Sequence, residues 1–191
     1  PSMAEKGGYR HFMLKEIYEQ PRAVADTVYG RFNPETGEIN LKEFHLTGSF
    51  LKSVKEVFIV ACGTSWHAAL AGKYLMEDIA KVPVHVDIAS EFRYRNPILG
   101  KNSLFISITQ SGETADTIAA QRIAKKTGVK VLNICNVMGS TSSREADAVF
   151  YTRSGPEIGV ASTKSFVTQI VALYILSIAV GSLKGSVTPE K

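Results

Sequence analysis

From Val54 onward the chain alternates short, nearly unbroken apolar runs with longer stretches of mixed polarity. The apolar runs cover 57–62, 84–88, 104–108, 129–134 and 148–151. Runs this short and this continuous fit strands buried on both faces, as in a parallel sheet. The intervening 66–80, 115–127 and 143–146 carry helical patterning, and 166–183 is an apolar helix to the end of the pattern. Strand and helix in alternation predict an α/β protein: a three-layer αβα sandwich on a five-stranded parallel sheet, doubly wound in the flavodoxin-like manner. Before it, 11–20 has helical periodicity, Pro21 suits the first turn of a second short helix, and Asn33-Pro34-Glu35-Thr36-Gly37 is a turn. The expected organisation is therefore an N-terminal helical segment over 1–45, a domain over 46–184, and the opening of a polar linker at 185–191.

Two turns rich in hydroxyls stand at strand-to-helix junctions, Cys62-Gly63-Thr64-Ser65 and Thr109-Gln110-Ser111-Gly112-Glu113-Thr114. Helix starts expose unpaired N–H groups and a partial positive charge, and hydroxyls add donors, so the pair outlines an anion site. One helix cap needs one hydroxyl; the second turn alone offers Thr109, Ser111 and Thr114, with the Gln110 amide beside them. Neither turn contains lysine, which argues against a Walker-type nucleotide loop and for a sugar phosphate. Glu113 is expected to point away from the anion and complement a helix dipole. Cys62 reads as a small apolar residue closing a strand, and His67 as a surface or packing histidine. Ser142 and Glu145 have capping-box spacing. Gly159-Val160-Ala161-Ser162-Thr163-Lys164 reads equally as a helix start or as a wall of the same crevice.

Composition narrows the classes. The chain has 191 residues, 45% of them hydrophobic, and a net charge of +4, enough for one full core. Its basic residues are scattered and meet aromatics at Arg93-Tyr94-Arg95, so no nucleic-acid partner is expected. Thr168, Gln169, Ser177 and Ser182 interrupt the apolar 166–183, which argues for a buried helix and no membrane span. Cys62 and Cys135 are expected as free thiols in a cytoplasmic protein. The histidines (His11, His45, His67, His85) lie apart from the cysteines, so neither metal nor cofactor is expected.

Five segments together carry a resemblance: Phe12-Met13-Leu14-Lys15-Glu16-Ile17-Tyr18-Glu19-Gln20-Pro21, Ala61-Cys62-Gly63-Thr64-Ser65, Ala89-Ser90-Glu91-Phe92-Arg93-Tyr94-Arg95, Gln110-Ser111-Gly112-Glu113-Thr114-Ala115-Asp116-Thr117 and Glu157-Ile158-Gly159-Val160-Ala161-Ser162-Thr163-Lys164. In this order they resemble the isomerase part of the glutamine:fructose-6-phosphate aminotransferase family, over essentially the whole chain. The resemblance implies the first of that part's two sugar isomerase (SIS) domains. It implies a phosphate of fructose 6-phosphate or glucosamine 6-phosphate on Thr64, Ser65, Thr109, Gln110, Ser111 and Thr114, the family usually having serine at position 109. Contact of the sugar end with the Val160 backbone and the Ser162 hydroxyl is implied as well. The implied partners are a second SIS domain, a glutaminase domain and a second copy in a homodimer. Catalytic groups are implied in the second SIS domain and the neighbouring subunit, so this piece is expected to bind without turnover. The other class is a sugar-phosphate-sensing SIS module of a repressor.

Overall fold

The computed structural model describes residues 5–33, 35–40 and 45–187. Pro34 of the expected turn, residues 41–44 at the expected boundary and residues 188–191 of the expected linker lie outside the described residues. The five apolar runs form five strands: β1 (Glu56–Ala61), β2 (Val84–Ile88), β3 (Ser103–Thr109), β4 (Lys130–Cys135) and β5 (Ala148–Tyr151). All neighbours are parallel, in the order β2-β1-β3-β4-β5. This is the flavodoxin-like order, and its direction reverses between β1 and β3. Every residue of β3 is buried, which explains why its pattern is continuous and not alternating.

Helices cover both faces. On one side α4 (Gly63–Ile79) and α8 (Lys164–Lys184) join Ile59, Ile106, Leu132 and Phe150 in the larger core. On the other, α5 (Ala89–Phe92) and α6 (Ala115–Lys126) pack on Phe58, Phe105 and Val131. Each fully buried side chain of this size contributes roughly 1.5–3 kcal/mol of transfer free energy. The strongest 18-residue window of α8 has a mean hydropathy of 2.0 and is 56% buried. Leu173, Leu176 and Val180 have no exposure at all, so α8 is a core helix.

A polar ring lies inside this apolar frame. Ser107 donates to Gln121 (2.7 Å), the Gln121 amide donates to the Ser142 carbonyl (2.9 Å), the Ser142 hydroxyl donates to Asn133 (3.1 Å), and the Asn133 amide donates back to Ser107 (2.9 Å). All four residues are fully buried, and each satisfies the next, so the ring binds β3, β4, α6 and the short helix at 141–145 at little desolvation cost.

That ring accounts for a correction. The short helix α7 runs Thr141–Glu145 with Ser140 at its N-cap position and no side-chain capping bond, and the expected Ser142–Glu145 capping box does not form. Ser142 is drawn into the buried ring, while Glu145 accepts the Arg122 guanidinium at 2.7 and 2.5 Å. Two short helices fall where the periodicity gave none: α3 (Gly48–Ser53), capped by the Thr47 hydroxyl (3.2 Å to the Phe50 N–H), and α5. The N-terminal segment forms α1 (Phe12–Tyr18) and α2 (Gln20–Val28), with Pro21 in the first turn of α2 as expected. It reaches the sheet through α2. The Thr27 hydroxyl donates to the Thr152 carbonyl (2.5 Å), and fully buried Arg31 donates to the Tyr151 carbonyl (2.6 Å) while stacking on Phe150.

Candidate functional site

Strand register brings the two hydroxyl turns together. Ala61 pairs with Ile108 across β1 and β3, so Cys62 and Thr109 leave the sheet side by side at its carboxyl edge. This is where the strand order reverses, the place in such sheets where a crevice opens. α4 and α6 begin there, each start aimed at the same region. The α4 N-cap, Cys62, makes no side-chain capping bond, and its first turn holds no acidic residue. Among the described residues the hydroxyls of Thr64 and Ser65 take no hydrogen-bond partner.

The second turn is organised from within. Thr109, 3% exposed, accepts the Gly112 N–H (3.2 Å) and shares a hydrogen bond with the Thr114 hydroxyl (3.0 Å). Ser111 accepts the Glu113 N–H at 3.1 Å, which leaves its own proton to donate. Thr114 is the α6 N-cap without a capping bond. The Ser111 and Thr114 hydroxyls are thus tied within the turn itself, and neither caps the start of α6. Gln110 lies between this turn and a cavity of about 670 Å³ at the β4–β5 side, whose lining includes Asn136, Tyr151 and Glu157.

Glu113 needs a correction of position. α6 begins at Ala115, so Glu113 precedes the helix and complements a different one. Its carboxylate accepts the Thr141 N–H (2.7 Å) at the start of α7, and that bond holds its pKa below the ordinary carboxylate value. In the α6 first turn the acidic residue is Asp116, taken up by Arg93 at 2.6 Å. This gives the Glu91–Arg95 segment a structural part: Arg93 braces α6, and Arg95 pairs with Asp87 at 2.5 Å. His67, exposed as expected, meets the Gly63 carbonyl at 3.1 Å.

Both cysteines are free thiols, and they differ in access. Cys62 is partly exposed, with its sulfur 4.0 Å from the Thr117 hydroxyl. Burial pushes the Cys135 thiol up to about 12, against a smaller lowering by the Ser140 hydroxyl, leaving ~10⁻⁴ of it ionised at pH 8. Iodoacetamide at pH 8 is expected to label Cys62 in the native protein and Cys135 only after unfolding. Peptide mass spectrometry checks this, and equal labelling of both thiols in native protein would contradict the assignment.

The loop from Thr152 to Thr163 approaches the crevice from the β5 side. Val160 is fully exposed at its tip, and the Ser162 hydroxyl donates to Glu157 at 3.2 Å. Glu157 also accepts the N–H groups of Thr163 (2.9 Å) and Ser165 (3.2 Å), capping α8. What comes close to Gly159 is the carboxylate of Glu16, which accepts the N–H of Ile158 (2.5 Å) and of Gly159 (3.2 and 3.1 Å). Glu19 holds the Lys164 ammonium at 2.6 Å. Burial works to raise the Glu19 pKa, but the hydrogen bonds and charges of Lys164 and Lys15 together outweigh it and the net shift is downward. The sequence reading had no signal for these contacts, because Glu16 and Glu19 read as the polar side of a surface helix.

Comparison with known proteins agrees with this geometry. The family profile described as SIS domain matches residues 50–179. Glutamine--fructose-6-phosphate aminotransferase [isomerizing] of Symbiobacterium thermophilum is 52% identical over 191 residues, covering 100% of this chain and 31% of the relative. The chain thus spans about a third of the length of the curated relatives it matches. The C-terminal domain of glucosamine-fructose-6-phosphate aminotransferase from Francisella tularensis superposes with a TM-score of 0.92 at 49% identity, over 98% of this chain and 52% of that one. The Vibrio vulnificus NanR protein, solved in complex with ManNAc-6P, shares the fold at a TM-score of 0.67 and 17% identity, over 90% of this chain and 62% of that one.

Proposed function

The chain belongs to the SIS domain family, and from that premise we propose that it is the hexose-phosphate-binding first SIS domain of a cytoplasmic glutamine–fructose-6-phosphate aminotransferase. The observation that carries the reading is the set of hydroxyls on Thr64, Ser65, Ser111 and Thr114, none of them making a helix-capping bond where two helices begin at the switch point. A phosphate there meets donors from both turns and the positive ends of α4 and α6. Thr109 serves from inside: when it is the donor of the bond it shares with Thr114, the Thr114 proton is left for the anion. The Gln110 amide completes the proposed phosphate contacts, and the Val160 backbone and Ser162 are the proposed contacts nearer the sugar.

The reading gives this chain binding and orientation, with bond chemistry supplied from outside it. Supporting this, Glu113 is already engaged with α7, Glu157 with α8 and Lys164 with Glu19. In the complete reaction we propose, fructose 6-phosphate and glutamine give glucosamine 6-phosphate and glutamate. A second SIS domain, a glutaminase domain and a second copy of the protein are the proposed partners. Whole-chain identity of 52% favours this over a sensory module, for which the fold alone speaks.

Millimolar fructose 6-phosphate is expected to raise the melting temperature, as any ligand selective for the native state does. Ser111→Ala and Thr114→Ala each remove a donor to a charged group, worth about 1.5–3 kcal/mol, so affinity is expected to fall about tenfold or more. Titration calorimetry measures the loss, and an unshifted wild-type melting curve at millimolar ligand would count decisively against the site.

A further inference from the structure

Glu16 is 2% exposed, and among the described residues its carboxylate has no ion-pair partner; it is held by the backbone N–H groups of Ile158 and Gly159 alone. Burying a carboxylate without a cation is costly unless its lone pairs are filled, so this one is in a site made for it. The loop is shaped to match. A Cβ on Gly159 would lie 2.6 Å from the Glu16 Oε2 and 3.4 Å from the Met13 Cβ, so the backbone comes closer to α1 there than any side chain allows. Just past α1, at its C-cap, Glu19 takes the buried Lys164 at the start of α8. From the other end of the loop, Glu157 gathers Ser162, Thr163 and Ser165. Residues 158–162 are thus pinned on both flanks, while Ile158 (46% exposed) and Val160 at the tip stand outward with no core contact to hold them.

We propose that Glu16 is a positioning residue. It fixes the Ile158–Ser162 loop against the crevice, and through Val160 and Ser162 sets recognition of the sugar end of the ligand, leaving the phosphate to the two hydroxyl turns. This inference rests on the hexose-phosphate reading of the site. A role in overall stability alone would weaken all ligands together. A positioning role separates them, because inorganic phosphate does not reach the loop.

The test is amide NMR of wild type, Glu16→Gln and Gly159→Ala, titrated with fructose 6-phosphate and with inorganic phosphate. Glu16→Gln keeps the shape but sets an amide donor where one of the two carboxylate oxygens accepts the Gly159 N–H. Gly159→Ala reaches the same contact from the loop side, and so serves if the first variant does not fold. Both are expected to weaken fructose 6-phosphate about tenfold and leave inorganic phosphate within about twofold, with faster exchange at Ile158 and Gly159 and unchanged exchange at Gly112 and Glu113. Equal weakening of both ligands, or unchanged exchange at Ile158 and Gly159, would overturn the positioning role alone. A wild-type protein that binds no hexose phosphate would sink the site reading, and this proposal with it.

Discussion

Replacing Gly112 with alanine is expected to destabilise the protein by about 2–5 kcal/mol and to abolish hexose-phosphate binding. Gly112 has φ +71°, a conformation that costs an L-residue roughly 1–2 kcal/mol. The added Cβ would lie 2.0 Å from the Ser140 Oγ and 2.3 Å from the Ser140 Cβ. The hydroxyl can rotate away, but the Cβ is fixed to the backbone, so one of the two chain segments must move, at about 1–3 kcal/mol for overpacking. Neither segment is free to do so. The Gly112 carbonyl accepts the Ser142 N–H (3.0 Å), and Ser142 belongs to the buried ring with Asn133 and Gln121. The Gly112 N–H is bound to Thr109, the inner support of the turn. A control separates the two costs: Gly139 also has positive φ, +68°, but a Cβ there meets nothing within 4 Å. Gly139→Ala should therefore lose about 1–2 kcal/mol from backbone strain alone and keep its ligand. Urea unfolding of the two variants reads the difference, and equal losses would show that the Ser140 contact does not matter.

The same residues explain how much of this molecule could be read from its sequence. β1 and β3 were legible to within a residue at either end, because a strand covered on both faces has little choice but to be apolar throughout. The meeting of the two hydroxyl turns was legible for a related reason: in a parallel sheet successive strands end level, and loops after them share an edge. Contacts that cross the fold were not. Ser142 and Glu145 have the spacing of a capping box, yet tertiary partners outcompeted the local pairing, Asn133 and Gln121 for one and Arg122 for the other. Glu16 carries no local mark distinguishing it from Glu19 or from any solvated glutamate on a helix. The one clue lay 143 positions away, in a glycine whose missing side chain makes room for it. Arg93 is similar, since an arginine in a short aromatic segment does not announce that its partner, Asp116, is the acidic residue in the first turn of α6.

Leu173→Ala is expected to cost about 2–5 kcal/mol, the range for emptying a well-packed core position, and its effect should depend on residue 72. Leu173 is fully buried where α8 crosses α4, against Gly72. A Cβ on Gly72 would stand 2.3 Å from the Leu173 Cδ1 and 3.0 Å from its Cβ and Cγ. The methyl can swing aside, but the Cβ at 3.0 Å, fixed to the backbone, cannot, so Gly72→Ala forces the helices apart by a few tenths of an ångström. Overpacking of about 1–3 kcal/mol is partly offset by the ~1 kcal/mol that alanine gains over glycine within a helix. In the double variant the alanine methyl at 72 enters the space vacated by Leu173, so the combined loss should fall short of the sum by about 1–2 kcal/mol. The shortfall is not complete because the Cβ of residue 173 remains. Urea unfolding of the four proteins measures the coupling, and strict additivity would mean the helices adjust independently of this contact. The consequence extends to the site: Thr64 lies eight residues, about 12 Å, up the same helix, and Lys164 begins the other. Wedging α4 from α8 at Gly72 should therefore tilt the first hydroxyl turn away from the second, weakening fructose 6-phosphate in Gly72→Ala and restoring part of it when Leu173 is also shortened.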